Sequence, residues 1–222
     1  MITNVAPHRM LPMQYVISSG STPPAGFMSA LMSSVGSDSA FGANVDFDSP
    51  ELTVAPAVTY QQHRACAALV RRMYAWRGYC IAPARQLIDD PNHATLAGWL
   101  DGELVATMTA SRDSSAGLLA DKLYADEMAM LRKPARVICE VTRLAVDSEG
   151  NDPEILKSLF RSTYQYAKAV FGVTDVVIEV NPRHATYYRR EFGFSQVGDL
   201  RNCPRVNAPA VLLHRSMGNM RL

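Results

Sequence analysis

The stretch Arg136 to Asp147, RVICEVTRLAVD, decides the fold. Val, Ile and Thr dominate it and neither Gly nor Pro interrupts it, so it reads as a central strand covered on both faces. Glu140 and Arg143 sit in its middle. A carboxylate or guanidinium buried without a partner is costly, so a core strand keeps such residues mainly when they pair or when a site needs them. In a regular strand Ile138, Glu140, Thr142, Leu144 and Val146 share one face, and Val137, Cys139, Val141, Arg143 and Ala145 share the other. Glu140 and Arg143 then point apart, and Arg143 is a brace. A bulge between them would bring both to one side, and bulges often lie beside active sites.

Beyond this strand, a polar loop leads to Asp152-Pro153-Glu154, an N-cap with proline at the first helical position. The helix runs to Phe171, with Gly172 as its stop. Thr174–Val180 follows as a strand, Arg183–Phe192 as a short helix, and Phe194–Val197 and Ala210–His214 as strands. Before the central strand, Ser114–Lys133 has mostly helical spacing. Ala94–Leu100 and Glu103–Ser111 form a hairpin about Asp101-Gly102. Arg77 to Pro91 is a loop. Thr59 and Gln62 make a capping box that opens a helix reaching about Trp76, after a first strand at Glu51–Val58. Strand-helix-strand units on either side of Thr174–Val180 predict an α/β (α+β) domain, a mixed sheet with helices on both faces. Where the Glu140 strand and the strand ending at Asn181 diverge, a crevice should open at their carboxyl ends and collect a ligand.

The chain has 222 residues, 48% of them hydrophobic, enough for one sizeable core. Residues 51–217 read as the domain and 218–222 as a short tail. Residues 1–50, rich in Ser, Gly, Pro, Ala and Met, read as a mobile extension. Within it, Gly26–Val35 places Phe27, Leu31 and Val35 at helical spacing and either docks on the domain or is an incidental apolar run. A formal net charge of +1 excludes a bulk electrostatic strategy for nucleic acid. Cys66, Cys80, Cys139 and Cys203 lack metal-ligand spacing and read as reduced core residues. His8, His63, His93 and His214 are too scattered for a metal. No apolar run of about 18 residues spans a membrane and no secretory signal opens the chain, so a soluble cytoplasmic protein is expected.

The element order, with a helix closing in Phe192-Gly193-Phe194, resembles the GNAT acyltransferase superfamily. The loop Ser148–Asp152 lacks that superfamily's Gly-rich signature for the pyrophosphate of acetyl-coenzyme A, and its acidic residues oppose an anion. GLLADKLYADEMAMLRKPARVICEVTRLAVD, VNPRHATYYRREFGF and CPRVNAPAVLL resemble, in order, the long-chain N-acyl amino acid synthase family (FeeM type), a GNAT branch related to acyl-homoserine lactone synthases. The likeness covers about Glu51 to Arg215. It implies a GNAT-like, mostly antiparallel sheet with a splayed central strand pair. It also implies transfer of a long-chain fatty acyl group from acyl carrier protein to the amino group of an amino acid. The acyl-phosphopantetheine of the carrier is then the co-substrate, with acyl-coenzyme A as the alternative and no tightly bound cofactor or metal. Glu140 and Arg143 match a Glu-x-x-Arg of the lactone synthases. Arg72, Tyr74, Arg77 and Tyr79 match their basic and aromatic motif loosely.

Chemistry assigns roles independently. Attack of an amine on a thioester requires a neutral amine, and Glu140, acting directly or through one water, is the candidate base. Tyr188 or Tyr187 either assists the departing thiolate or only packs. Backbone N–H groups near Thr142 to Leu144 are candidates for the oxyanion. Arg143 holds a carboxylate or braces the strand. Thr142, Leu144, Asn181, Arg72 and Tyr74 are the candidate substrate contacts. Arg183, Arg189, Arg190 and Arg205, with Arg201, form a basic face suited to an acidic carrier protein, or an ordinary solvated helix face. His184 reads as a structural hydrogen-bonding residue. A lactone synthase, a coenzyme A-dependent N-acyltransferase and a non-catalytic acyl-carrier or lipid-binding module are the rival readings.

Overall fold

The structure, a computed structural model, describes residues 52–79, 90–147 and 153–218. The expected extension with its Gly26–Val35 segment, Cys80, most of the loop before Pro91, and the Ser148–Asp152 loop with its N-cap lie outside the described residues. Eleven elements are described: β1 (Leu52–Pro56), α1 (Tyr60–Trp76), β2 (His93–Leu100), β3 (Glu103–Arg112), α2 (Asp121–Leu131), β4 (Ile138–Val146), α3 (Pro153–Phe171), β5 (Asp175–Val180), α4 (Pro182–Phe192), β6 (Ser195–Cys203) and β7 (Ala208–Ser216).

The strands form one seven-stranded sheet in the order β1-β2-β3-β4-β5-β7-β6. All pairings are antiparallel except β4 with β5. That exception follows from α3, which returns the chain from the end of β4 to the start of β5 as a crossover requires. One face of the sheet packs on α3 and α4 through Met108, Val141, Leu144, Ile178, Leu156, Leu159 and Tyr188. The other packs on α1 through Leu69, Val70 and Tyr74, and on α2 through Tyr124 and Met128.

Local signals explain the element ends. The Thr59 hydroxyl accepts from the Gln62 N–H at 3.1 Å, and the Gln62 amide oxygen accepts from the Thr59 N–H at 3.0 Å, the expected capping box. Asp101 and Gly102 both take positive φ, as the two-residue hairpin turn demands. Asn181 caps α4, accepting from the Arg183 N–H at 3.2 Å, and Gly193 closes the helix in the left-handed region.

Two expectations are corrected and a third is decided. Helix α2 is confined to Asp121–Leu131, with turns before it, and it kinks at Tyr124. Strand β6 runs on to Cys203 instead of ending at Val197, because this edge strand faces solvent on one side and tolerates Asp199, Arg201 and Asn202. Gly198, which looks like a turn residue, is needed within β6 because a Cβ there would lie 2.6 Å from the Tyr124 ring. Strand β4, finally, takes the bulged of the two forms that the sequence left open.

Candidate active site

Between the pairs Thr107↔Ala145 and Thr109↔Thr142, β3 holds one residue, Met108, whereas β4 holds two, Arg143 and Leu144. This is a β-bulge, and Arg143 takes φ +52° to make it. The bulge reverses the alternation beyond it. Leu144 joins Cys139 and Val141 against α3 and α4, and Ala145 packs toward α1. Regular alternation would place Leu144 with Glu140 and Arg143 opposite; the bulge corrects both. The Arg143 charge now bears on Tyr74 and His63 of α1, so Arg143 lies on the same side of the sheet as Glu140.

The same region is where two central strands part. The β4–β5 register runs from Ile138↔Asp175 to Val141↔Ile178 and stops. Thr142 to Val146 and Glu179 to Val180 continue without each other, which is the crevice that the strand order predicts. A cleft lies at the end of β5, lined by Tyr74, Tyr79, Glu179, Asn181 and Cys203 among others. On the opposite face, between β4, β5, α3 and α4, an apolar cavity is lined by Val141, Phe160, Thr163, Ala167, Val176 and Phe194 among others.

Glu140 is 1% exposed. Its Oε2 accepts the Leu119 N–H at 2.7 Å and the Ala120 N–H at 3.2 Å, while Oε1 has no hydrogen-bond partner. Ala120 occupies the N-cap of α2 and offers no side-chain cap, so Glu140 supplies one from a distant strand. Burial, and then the charge of Glu179, push the Glu140 carboxyl up to about 8, against the two N–H bonds and Arg205. Glu179, from β5, is 2% exposed. Its Oε2 accepts from Arg205 Nη2 at 2.7 Å, and Arg205 Nη1 donates to the Leu119 carbonyl at 3.0 Å. One peptide thus ties the two carboxylates together through Arg205.

Tyr188 is fully buried, edge-on to Phe160 and Phe194, and its hydroxyl has no hydrogen-bond partner. The ring packs in the core, and the hydroxyl is not tied up by another group. Burial, then the neighbouring Tyr187, raise its pKa well above 10. Tyr74 lines the cleft from α1, and Tyr188 on α4 is close enough to disfavour its ionisation. Tyr187 is half-buried, with its ring against Tyr188 and Phe192 and Glu191, Lys157 and Glu154 nearby, and its hydroxyl is likewise buried without a hydrogen-bond partner. Arg143 Nη2 and Thr142 Oγ1 are buried here without partners as well.

Other expected residues fall elsewhere. Leu144 is 2% exposed within the core, leaving only its backbone for a substrate. Arg72 is exposed and pairs with Asp147. Asn181 lines the cleft while capping α4. Arg183, Arg189 and Arg190 are exposed on α4, but Arg205 turns inward to Glu179 and Arg201 pairs with Glu127, so neither belongs to a docking face. His184 accepts from Arg183 Nε at 3.1 Å, and burial, then Arg183 and Arg77, hold it neutral, with its pKa lowered to about 4. Glu179 is the residue that sequence reading missed. The signal was available: VVIEV is a buried strand with one carboxylate in it, the same anomaly that singles out Glu140.

The seven-stranded sheet, parallel only at its parting central pair and covered by helices on both faces, is the fold of GNAT acyltransferases. Among solved structures it is similar to FeeM, an N-acyl amino acid synthase from uncultured soil microbes, at 26% identity and TM-score 0.66, over 75% of this chain and 90% of that one. Escherichia coli ElaA shares the fold at 15% identity and TM-score 0.53, over 74% and 99% of the two chains. An acyl-CoA N-acyltransferase from Pseudomonas aeruginosa does so at 20% identity and TM-score 0.51, over 75% and 99%. No curated protein sequence matches the chain significantly. The family profile of N-acyl amino acid synthase FeeM matches residues 65–216. The chain belongs to that family, and it is an acyltransferase.

Proposed function

We propose that this enzyme transfers a long-chain fatty acyl group from the phosphopantetheine thioester of acyl carrier protein to the amino group of an amino acid. The observation that supports this reading is a pair of openings on opposite faces of the sheet, one at the parting end of β5 and one beside the paired part of β4 and β5. The first is a cleft with Glu179 and Asn181 in its wall, and the second is apolar, walled by α3 with Val141, Val176 and Phe194. A thioester held at the parting would have room for an acyl chain on the α3–α4 side and for an amine on the α1 side.

The acceptor arrives as an ammonium ion and must lose a proton before it can attack. Glu140 is the proposed proton acceptor, since a carboxyl with a pKa of about 8 can hold a proton near neutral pH and release it again. The amine nitrogen then attacks the thioester carbon, and backbone N–H groups of the bulge from Thr142 to Leu144 face the developing oxyanion. Tyr188 supports the departing sulfur. Its phenol pKa lies well above that of a thiol, about 8.5, so it donates a hydrogen bond rather than giving up its proton. Arg143 Nη2, buried and without a partner, is assigned to the acceptor's carboxylate. Arg183, Arg189 and Arg190 on α4 form the docking face for the acidic carrier.

The free, buried thiols of Cys66, Cys139 and Cys203 agree with a reducing, cytoplasmic setting. Among the described residues no helix is long and apolar enough to cross a membrane. Incubating the purified protein with palmitoyl carrier protein, or with palmitoyl-coenzyme A, and each of the twenty amino acids tests the proposal. An acyl amide in the carrier arm, detected by mass spectrometry, is the expected result. Product only with coenzyme A would overturn the donor assignment, and tight carrier binding with no product from any amine would overturn the activity.

A further inference from the structure

Among the described residues lining the cleft, Glu179 is the one that carries a formal charge; its neighbours there include Tyr74, Asn181, Cys203, Val206 and Ala210. Glu140 does not line it. The Glu179 carboxylate is fixed on one side by Arg205, while its Oε1 has no hydrogen-bond partner among the described residues; the Cys203 thiol, a weak donor, bears on the same carboxylate. A buried, oriented carboxylate oxygen with unused acceptor capacity, in an otherwise neutral cleft, complements a single kind of ligand group, a cation that donates hydrogen bonds.

We propose that Glu179 is the catalytic residue that touches the acceptor's ammonium group, with Glu140 behind it as the store for the released proton. This rests on the reading that a primary amine is acylated. The ammonium gives one proton to Glu179, which passes it to the Glu140 carboxylate. The freed nitrogen pair forms the C–N bond to the thioester carbon, and collapse of the tetrahedral adduct breaks the C–S bond. The sulfur leaves as thiolate and takes the second N–H proton of the adduct, so the products are the amide and the thiol. Glu140 then releases the stored proton to solvent, and the carboxylate pair returns to its starting state. Arg205 is a positioning residue: it aims Glu179, and through the Leu119 carbonyl it ties that aim to the turn that Glu140 holds.

The test is a titration of the full-length protein with n-butylamine, followed by NMR, with n-butanol as the neutral control. Saturable binding of the amine but not of the alcohol is expected. Glu179→Gln should weaken that binding at least tenfold, and Glu140→Gln should leave it within about threefold, the sizes expected for losing and keeping a charge-assisted hydrogen bond. If Glu179→Gln does not fold, the double variant Glu179→Gln/Arg205→Met removes both charges together and must show the same loss. In turnover, Glu179→Gln should raise KM for the amine and lower kcat, with carrier protein binding unchanged. Equal binding of amine and alcohol, or unweakened amine binding in the Glu179 variants, overturns the inference. Amide synthesis indifferent to Glu179 would overturn this inference alone, leaving the proposed function standing. Glu179-dependent amine binding without acyl transfer from any thioester would do the opposite.

Discussion

Glu140 of β4 and Glu179 of β5 point to the same side of the sheet and are joined through Arg205 and the Leu119 peptide, by contacts of 2.7, 3.0 and 2.7 Å. Two buried carboxylates on neighbouring parallel strands repel, and one answer is for one of them to keep its proton. Glu140 is the one whose proton affinity rises, its pKa pushed up to about 8 by burial and then by the Glu179 charge, so that above neutral pH it is ionised in part and able to take up a proton.

This arrangement predicts a pH-dependent stability. The folded-state pKa of Glu140 is raised to about 8 from an ordinary 4.5, so the folded protein binds a proton that the unfolded chain does not. Its contribution is fully present below about 4.5 and is lost as pH rises through about 8, with a slope of roughly 1 kcal/mol per pH unit between. Urea titrations of wild type and Glu140→Gln across that window should give a flatter dependence in the variant. Turnover by Glu140→Gln should fall roughly 100-fold or more, on general-base magnitudes.

Tyr188→Phe should cost little stability, within about 1 kcal/mol, since the hydroxyl it removes has no partner to lose. The same variant should slow acyl transfer about tenfold or more, the size of one lost hydrogen bond to the leaving sulfur. Tyr188→Ala is the contrast: deleting the ring from between Phe160 and Phe194 should destabilise by about 3–5 kcal/mol. Thermal denaturation beside single-turnover kinetics separates the two effects.

Arg143→Gly tests the bulge. Glycine relieves the left-handed φ of this position while adding freedom to the unfolded chain, so stability should stay within about 1 kcal/mol of wild type. Transfer should nevertheless fall at least about tenfold, mainly as a higher KM for amino acids, and less so for simple amines that lack a carboxylate. An equal loss with both acceptors would remove Arg143 from carboxylate binding.

The apolar cavity should set acyl chain length. Ala167, from α3, lines it and is 2% exposed. Ala167→Leu should shift the product distribution toward shorter acyl chains, with Tm changed by only a few degrees if the new methyl groups occupy the cavity. An unaltered chain-length profile from mixed acyl carrier substrates would place the acyl tail elsewhere.

Much of this was legible in the chain. The Thr59–Gln62 box and the Asp101-Gly102 turn are local devices, each set by residues a few positions apart, and each stands where the sequence puts it. The central strand with its two charges, and the order of elements around it, were equally readable, because an uninterrupted β-branched run has few other uses. Strand β6 was underestimated because edge strands carry polar residues that elsewhere mark loops.

The sequence by itself determined that Glu140 and Arg143 lie in a strand too apolar to hold them idly, and that this strand has a parting neighbour. Only the tertiary structure decided which way they point. One extra residue against Met108 turns Arg143 toward α1 and Leu144 into the core, and no periodicity in the chain announces it. The tertiary structure alone also sent Arg205 inward to Glu179 and left Glu179, rather than Glu140, on the cleft. Those outcomes depend on pairing between residues 26 to 86 positions apart, and a buried charge takes whichever partner the folded sheet brings within reach.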